Sequence, residues 1–308
     1  MQIKKHRALD YLIFYCASIW HMARLGRGIV YCHFVSRTGV LALIAKWFFR
    51  RRIIINCHGS DVVLPAQSGG FLHSVNAVAL KHAHGVIVPS WHFQKRVIGL
   101  YGLATEKVHV YPSGGVFYPP QSALREESLF SGDQLQLGFV GSLTIAKGLL
   151  VLTEALNRIE YSCVLHVAGA GDKHLLDKIN NAHVEVVYSG VLSKNELPDL
   201  YAGLDLLLFP TLMQESLGLV AIEAMAFAVP VIASRIGAVG EYVNDGENGF
   251  LVDPGSSDQL LSRINNYHGL ATERRGRLRD GARKTAAGYD ESRILTNLQA
   301  VFTGHYEQ

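Results

Sequence analysis

The chain has 308 residues, of which 49% are apolar and 18% charged, and its formal net charge is +3. This length suits one large or two ordinary domains, and the composition supports a hydrophobic core and excludes a largely disordered chain. The small net charge disfavours a general nucleic-acid-binding protein, which would be more basic. The four cysteines form no CxxC pair, so we expect small buried residues in a reducing cytosol.

The N-terminal region lacks a secretory signal and an apolar run that could cross a bilayer. The apolar stretch at 11–20 is too short, and 29–49 is interrupted by charged residues and histidine. We therefore expect a cytoplasmic protein. Lys46 and the arginines at 50–52 flank three aromatic residues, a pairing that would allow peripheral contact with an anionic membrane at its inner face. A helix that simply ends in favourable positive charge is the alternative.

Short β-branched runs alternate with helical stretches in the first half of the chain. Strands are predicted at 29–34, 53–57, 85–89 and 108–111, and helices at 38–49, 73–82 and 91–100. Such alternation indicates βαβ units and a parallel sheet. A polar segment from Pro119 to about Gln134 follows and is the best linker candidate.

A second α/β series occupies the other half. Strands are predicted at 137–140, 163–168, 184–188, 206–209 and 231–233, with helices between them, a further helix at 258–267 and two amphipathic helices over 271–306. We predict an N-terminal α/β domain at 1–120, a C-terminal α/β domain at 135–285, and a last helix at 286–308 that packs back on the first domain. A cleft between two such domains is a common ligand site.

The segment at 214–224 contains two glutamates, Glu215 and Glu223. It follows the strand at 206–209, so Glu215 is expected in a loop at the N-terminus of a helix and Glu223 one to two turns inside it. Carboxylates accept hydrogen bonds from vicinal hydroxyls, and the helix N-terminus between them favours a phosphate. This layout fits a nucleotide-diphosphate sugar. The alternative is a surface helix with two solvated glutamates, although the apolar neighbours of Glu223 predict burial.

Two further loops follow predicted strands and carry groups suited to the same ligand. Lys147 opens a helix after the strand that ends near Gly141, where an ammonium could neutralise a diphosphate. His58, Ser60 and Asp61 follow the strand at 53–57, at the edge where open α/β sheets bind ligands. An exposed lysine and a turn capped by Asp61 are the structural alternatives.

Other ligand-binding patterns are weak or missing. Gly169 and Gly171 follow a strand but lack the third glycine of a dinucleotide fingerprint, so we expect a close approach of backbone to ligand. The sequence contains no P-loop, no GxSxG and no DxD pair. We predict no metal and no cofactor, with the nucleotide-diphosphate sugar as co-substrate.

In their order along the chain, these motifs resemble the GT-B glycosyltransferases of family 4, which are retaining enzymes that use nucleotide sugars. The resemblance runs from about residue 29 to 252. Glu215 and Glu223 match the E-x7-E motif, and 230–233, 240–241 and 245–252 match the family's pattern C-terminal to that motif. The loops at 58–61, 112–114, 147–148 and 169–171 also lie where the family has its motifs. The resemblance implies two Rossmann-like domains whose parallel sheets face each other across a cleft.

The resemblance also implies roles for individual residues. Glu215 would contact the donor sugar, Glu223 the ribose and Lys147 the diphosphate, with His58 near the reacting sugar. The donor would also lie against residues of the loops and of the helix start: Gly141, Ser142, Gly169, Gly171, Ser216, Leu217, Gly218 and Leu219. Ser60 and Asp61 would be on the acceptor side. The leaving phosphate would itself take the acceptor's proton on the same face of the sugar.

The sequence departs from the family pattern at two places. The family usually has arginine where Ser142 stands, so one cationic partner of the diphosphate is missing. Only about 28 residues precede the first matched strand, and they contain no glycine-rich loop. We therefore expect an incomplete N-terminal domain that lacks its first βαβ unit.

Three functions remain compatible with these residues. The first is transfer of a hexose to a polysaccharide or lipid-linked acceptor. The second is a non-catalytic or truncated nucleotide-sugar-binding protein, and the third is a sugar-nucleotide epimerase on the GT-B fold. A glycosidase is disfavoured, because the two glutamates are placed to hold a donor and not to face one bond.

Overall fold

The computed structural model describes residues 7–26, 28–124 and 134–303. These residues form two compact units. Unit 1 runs to Ser113 and resumes at Thr296, and unit 2 runs from Gly114 to Leu295. The predicted domain limits at 120, 135 and 285 differ from these positions. Most of the predicted linker at 119–134 lies outside the described residues.

Unit 1 is built on a parallel sheet in the order β1-β2-β3-β4. Its strands are β1 Ile29–His33, β2 Arg52–Asn56, β3 Gly85–Val88 and β4 Val108–Val110. Its helices are α1 Arg7–Arg24, α2 Val35–Trp47, α3 Ser60–Ser68, α4 Gly70–His82 and α5 Trp91–Tyr101. The isoleucines of β2 are buried on both faces of the sheet, which is typical of parallel strands covered by helices.

Unit 2 contains a parallel sheet of six strands in the order β10-β9-β8-β5-β6-β7. The strands are β5 Leu135–Val140, β6 Cys163–Ala168, β7 Val184–Tyr188, β8 Leu206–Phe209, β9 Val231–Ser234 and β10 Gly249–Val252. The helices are α6 Leu149–Leu156, α7 Leu197–Ala202, α8 Leu219–Ala226, α9 Ser257–His268 and α10 Thr272–Ala286, with α11 Glu291–Thr303 running across the division in the chain. The two parallel sheets confirm the predicted α/β class.

Several predicted boundaries are wrong for identifiable reasons. The first strand ends at His33, because Phe34 has a left-handed backbone with φ 57°. Helix α2 begins at Val35 and not at 38, since the Asp61 carboxylate accepts a hydrogen bond from the Val35 N–H and so supports the first turn. Helices α1 and α3 and strand β10 were not predicted. Within the described residues, none of the helices combines the length and apolar character needed to span a bilayer.

Candidate functional site

The centre of the unit 2 sheet contains a topological switch point. Strands β5 and β8 are neighbours, yet the chain leaves β5 toward β6 and β7 and leaves β8 toward β9 and β10, on the other side. The loops after β5 and β8 therefore diverge and leave a crevice at the carboxyl edge, where open α/β sheets bind ligands. The first loop leads to Lys147 and the second to Glu215.

Lys147 and Glu215 form an ion pair across this crevice, with 2.7 Å between Nζ and Oε1. Their side chains are 23% and 14% exposed, so both are partly shielded while remaining open to a ligand. Thr211, which is fully buried, donates a hydrogen bond from Oγ1 to the same Glu215 oxygen at 2.9 Å. The Glu215 carboxylate is therefore held by one cationic and one neutral donor.

The backbone of Glu215 is fixed as well as its side chain. Its carbonyl accepts a hydrogen bond from the Ala238 N–H at 3.0 Å. Gly237, at φ +61°, lies against the same carbonyl so closely that a Cβ there would collide with it. A residue larger than glycine at 237 would push the glutamate out of position.

Glu223 lies on α8, as predicted, and is half-buried. It accepts a hydrogen bond from the Tyr201 hydroxyl at 2.8 Å. Burial, and then the charge of Glu223, raise the pKa of Tyr201 strongly, so this phenol stays protonated and remains a donor. A cavity of about 150 Å³ adjoins the pair, and Lys194 and Phe117 contribute to its lining.

The start of α8 lies between the two glutamates. Gly218 precedes the helix with φ +85°, and the Tyr242 hydroxyl donates to its carbonyl at 3.2 Å. Leu217 is 3% exposed and belongs to the core, so only its backbone could face a ligand. Ser216 and Leu219 are half-buried on either side. The backbone N–H groups at the start of a helix, together with its dipole, favour an anion, here between the two carboxylates.

The glycines of the loops after β5 and β6 pack against one another. A Cβ at Gly169 would collide with the carbonyl of Gly141, and one at Gly171 with that of Leu143. The Leu143 N–H also donates to the Ala170 carbonyl at 2.8 Å. The backbone of Gly169 and Gly171 therefore closely approaches the backbone of the neighbouring loop. Their contact with a ligand stays a prediction. Ser142 is exposed beside them.

In unit 1, His58 follows β2 and lies beside His33, the last residue of β1. The distance between His33 Nδ1 and His58 Nε2 is 3.0 Å, and the Phe34 ring stacks on His58 with centroids 4.2 Å apart. Burial lowers the pKa of both imidazoles, and the mutual repulsion of the two rings lowers the pKa of His58 further, although Asp61 opposes this. Both rings are therefore neutral near pH 7, with a single proton in the hydrogen bond between them.

Asp61 is 4% exposed, and backbone groups occupy its carboxylate. Oδ1 accepts from the N–H groups of His58 and Gly59, both at 2.9 Å, and Oδ2 accepts from Val35 at 3.0 Å. These contacts fit the structural alternative stated above, in which Asp61 caps the turn after β2. Ser60, the first residue of α3, is exposed. The acceptor-side roles of both residues stay predictions.

Three residues of these constellations were not identified from the sequence: Thr211, Tyr201 and His33. Thr211 directly follows Pro210 at the end of β8, and His33 ends β1. Both are polar residues at the carboxyl end of a parallel strand, which is the signal that could have found them. Tyr201 lies near the end of α7, 22 residues before Glu223, so only the folded structure reveals its partner.

Comparisons with known proteins identify the family to which the chain is similar. A family model described as glycosyl transferases group 1 matches residues 120–285, more than half of the chain. A curated relative from Methanocaldococcus jannaschii, named an uncharacterized glycosyltransferase, is 26% identical over 280 residues, or 85% of this chain and 72% of the relative. A lipopolysaccharide 1,2-N-acetylglucosaminetransferase of Salmonella typhimurium is 30% identical over 179 residues, or 53% of this chain and 46% of the relative.

The fold is shared with a solved structure. The crystal structure of Anabaena HepE in complex with UDP matches with a TM-score of 0.79 at 22% sequence identity, covering 94% of this chain and 81% of that one. At this identity the likeness shows the fold, which is GT-B.

Proposed function

Because the chain belongs to the glycosyl transferases group 1 family, we propose that it is a retaining glycosyltransferase. It would move a hexose from a nucleotide-diphosphate sugar to a polysaccharide or lipid-linked acceptor. The observation that carries this proposal is the arrangement of Lys147, Glu215 and Glu223 around the start of α8 at the switch point of the unit 2 sheet. The UDP in the HepE complex supports a nucleotide sugar as donor. The named activity of the Salmonella relative supports transfer of a sugar to a lipid-linked saccharide.

The unit 2 site offers a separate partner for each part of the donor. Glu215 would accept hydrogen bonds from hexose hydroxyls, and Glu223 from the vicinal hydroxyls of the ribose. The diphosphate would lie against the N–H groups at the start of α8 and against Lys147. An ammonium has three donors, so Lys147 can bind a phosphate oxygen without giving up Glu215.

The proposed transfer needs no base from the protein. The bond from the anomeric carbon to the leaving phosphate oxygen breaks, and a bond to the acceptor oxygen forms on the same face. The acceptor's proton moves to the leaving phosphate. Lys147 and the start of α8 would stabilise the charge that develops on that phosphate. His58, held neutral beside His33, would contribute a hydrogen bond to a sugar hydroxyl.

Incubating the purified chain with UDP-hexoses and candidate acceptors tests the proposal. A glycosylated acceptor with the anomeric configuration of the donor would support it. Donor binding by calorimetry with neither transfer nor hydrolysis would instead favour the binding protein, and a new sugar nucleotide formed without acceptor would favour the epimerase. Glu223→Ala should weaken donor binding, and unchanged affinity in that variant would contradict the assignment of the site.

Unit 1 also supports peripheral contact with an anionic membrane, which we include in the proposal. Trp47 and Phe48 are 53% and 79% exposed at the end of α2, and Arg50 and Arg52 beside them are exposed. Arg51 differs, because its guanidinium donates to the carbonyls of Met22 and Leu25 at the end of α1. Exposed aromatic side chains next to cations commonly mediate binding to the surface of an anionic membrane. Co-sedimentation with phosphatidylglycerol vesicles, compared with phosphatidylcholine vesicles, measures this binding.

A further inference from the structure

A row of basic residues lies at the end of the unit 1 sheet where its strands begin, opposite to the end that carries His58. Arg52 is the first residue of β2, His84 immediately precedes β3, and Lys107 immediately precedes β4. These three strands are adjacent and parallel, about 5 Å apart. Their register puts His84 level with Ile53, one residue beyond Arg52, and Lys107 level with Gly85, one residue beyond His84. The residues on neighbouring strands are therefore displaced by one position from each other. Lys46, in the last turn of α2, joins them through a 3.3 Å contact from its Nζ to His84 Nε2.

The contact between Lys46 and His84 brings two donors together. His84 Nδ1 accepts a hydrogen bond from the Ile53 N–H at 3.1 Å, so this nitrogen carries no proton. A neutral imidazole must then carry its proton on Nε2, the nitrogen that faces Lys46. Burial, and then the charges of Lys46, Arg52 and Lys107, lower the pKa of His84 and favour the neutral ring, although the contact with the Ile53 backbone opposes this shift. An ammonium and an imidazole N–H therefore point at the same place without an acceptor between them.

The charged side chains of this row have no carboxylate partner among the described residues. In the part of the chain that the structure describes, no carboxylate lies within ion-pair distance of Lys46, Arg52 or Lys107. Lys107 donates one hydrogen bond, to the carbonyl of Lys81, and burial and the charge of Lys46 lower its pKa. Cations that gather without counter-charge repel one another, and an anion with several acceptor oxygens would relieve this repulsion.

We propose that Lys46, Arg52, His84 and Lys107 form a binding site for a phosphate group, separate from the donor site of unit 2. One phosphate oxygen would accept from Lys46 Nζ and His84 Nε2, and Arg52 and Lys107 would contribute charge. Both a lipid headgroup and a soluble phosphate ester present this chemistry. The exposed Trp47 and Phe48 adjoin Lys46 in the sequence, which places the site next to the surface proposed to contact a membrane.

Histidine NMR of the full chain tests the site directly. With labelled histidines, inorganic phosphate is titrated against chloride at constant ionic strength, and the His84 signal is assigned with His84→Gln. We expect a saturable shift of His84, at least tenfold weaker in Lys46→Ala and retained in Lys46→Arg. Lys173→Ala, which removes an exposed lysine of unit 2, should leave the titration unchanged. A shift that does not saturate, or that Lys46→Ala leaves intact, overturns the proposal.

A second arm distinguishes the two sources of phosphate. Binding to phosphatidylglycerol vesicles is measured for the wild type and for Lys46→Ala, with and without inorganic phosphate. Loss of vesicle binding in the variant, together with competition by phosphate, assigns a lipid headgroup. A saturable His84 shift with vesicle binding independent of Lys46 assigns a soluble phosphate ester. Donor affinity measured in parallel should be unchanged, so failure of this site leaves the proposed function untouched.

Discussion

The hydroxyl of Thr211 is the neutral support of the Glu215 carboxylate. If Lys147 shares its ammonium with a donor diphosphate, Thr211 is the contact that still orients Glu215 toward the sugar. A hydrogen bond to a charged group contributes about 1.5–3 kcal/mol. We therefore expect Thr211→Val to lower nucleotide-sugar affinity by about tenfold to a hundredfold, and Thr211→Ser to retain most of it. UDP, which lacks the hexose, should bind nearly as before; equal losses for UDP and UDP-hexose in calorimetry would argue against this role.

A substitution of Asp61 can distinguish a role in stabilising the fold from a role in binding the acceptor. Its carboxylate accepts three backbone hydrogen bonds and supports the left-handed turn at Phe34. Asp61→Ala would leave three N–H groups without this acceptor, so we expect a loss of about 3 kcal/mol in the free energy of unfolding. Thermal unfolding measures it, with Ser60→Ala, an exposed neighbour, as control. Full stability with impaired transfer would instead assign Asp61 to the acceptor.

At the residue scale, the sequence allowed the charged members of the site to be predicted but not their neutral partners. A carboxylate in an apolar segment, such as Glu223, signals its own need for a partner. Tyr201 and Thr211 give no such signal, because tyrosine and threonine also occur in hydrophobic cores without a functional role. Their roles depend on side-chain positions that only the packing of α7, β8 and α8 determines.

At the scale of elements, alternation of strands and helices was predictable where the runs are long and regular. Strand β10 begins with a glycine directly after a turn and contains one β-branched residue, so its four residues give a weak strand signal. Helix α3 contains Pro65 and two adjacent valines, which local propensity does not favour in a helix. Its first turn exists because Asp61 fixes the preceding loop.

Helix α8 depends on the glycine that precedes it. Gly218 has φ +85°, and a Cβ there would lie 2.8 Å from the Tyr242 hydroxyl. We expect Gly218→Ala to cost about 1–2 kcal/mol and to weaken donor binding, because the start of the helix would shift away from the diphosphate. Gly240→Ala is the matched control, since nothing lies within 4 Å of a Cβ at that position. Calorimetry and thermal unfolding should change for Gly218→Ala alone; unaltered donor affinity would separate the helix start from the binding site.

At the scale of the whole molecule, the two units differ in the histidines that burial affects. Burial lowers the pKa of His33, His58, His84 and His109 in unit 1, and of His166 and His268 in unit 2. Folding therefore favours the neutral imidazole in both units, but at more positions in unit 1. This asymmetry is invisible in the sequence, where the fourteen histidines are spread along the chain.

Unit 1 should consequently be the more acid-sensitive of the two. A histidine whose folded pKa lies below its unfolded value near 6.5 stabilises the fold fully above that pH, because the unfolded chain binds the extra proton as pH falls. This contribution is lost as pH decreases through 6.5 toward the folded pKa. Hydrogen exchange, corrected for its intrinsic pH dependence, should show protection falling more in β2 and β3 than in β5 and β8 between pH 7.5 and about 5.5. His33→Gln combined with His58→Gln should reduce the difference, and an equal loss in both sheets would show that these histidines do not control acid unfolding.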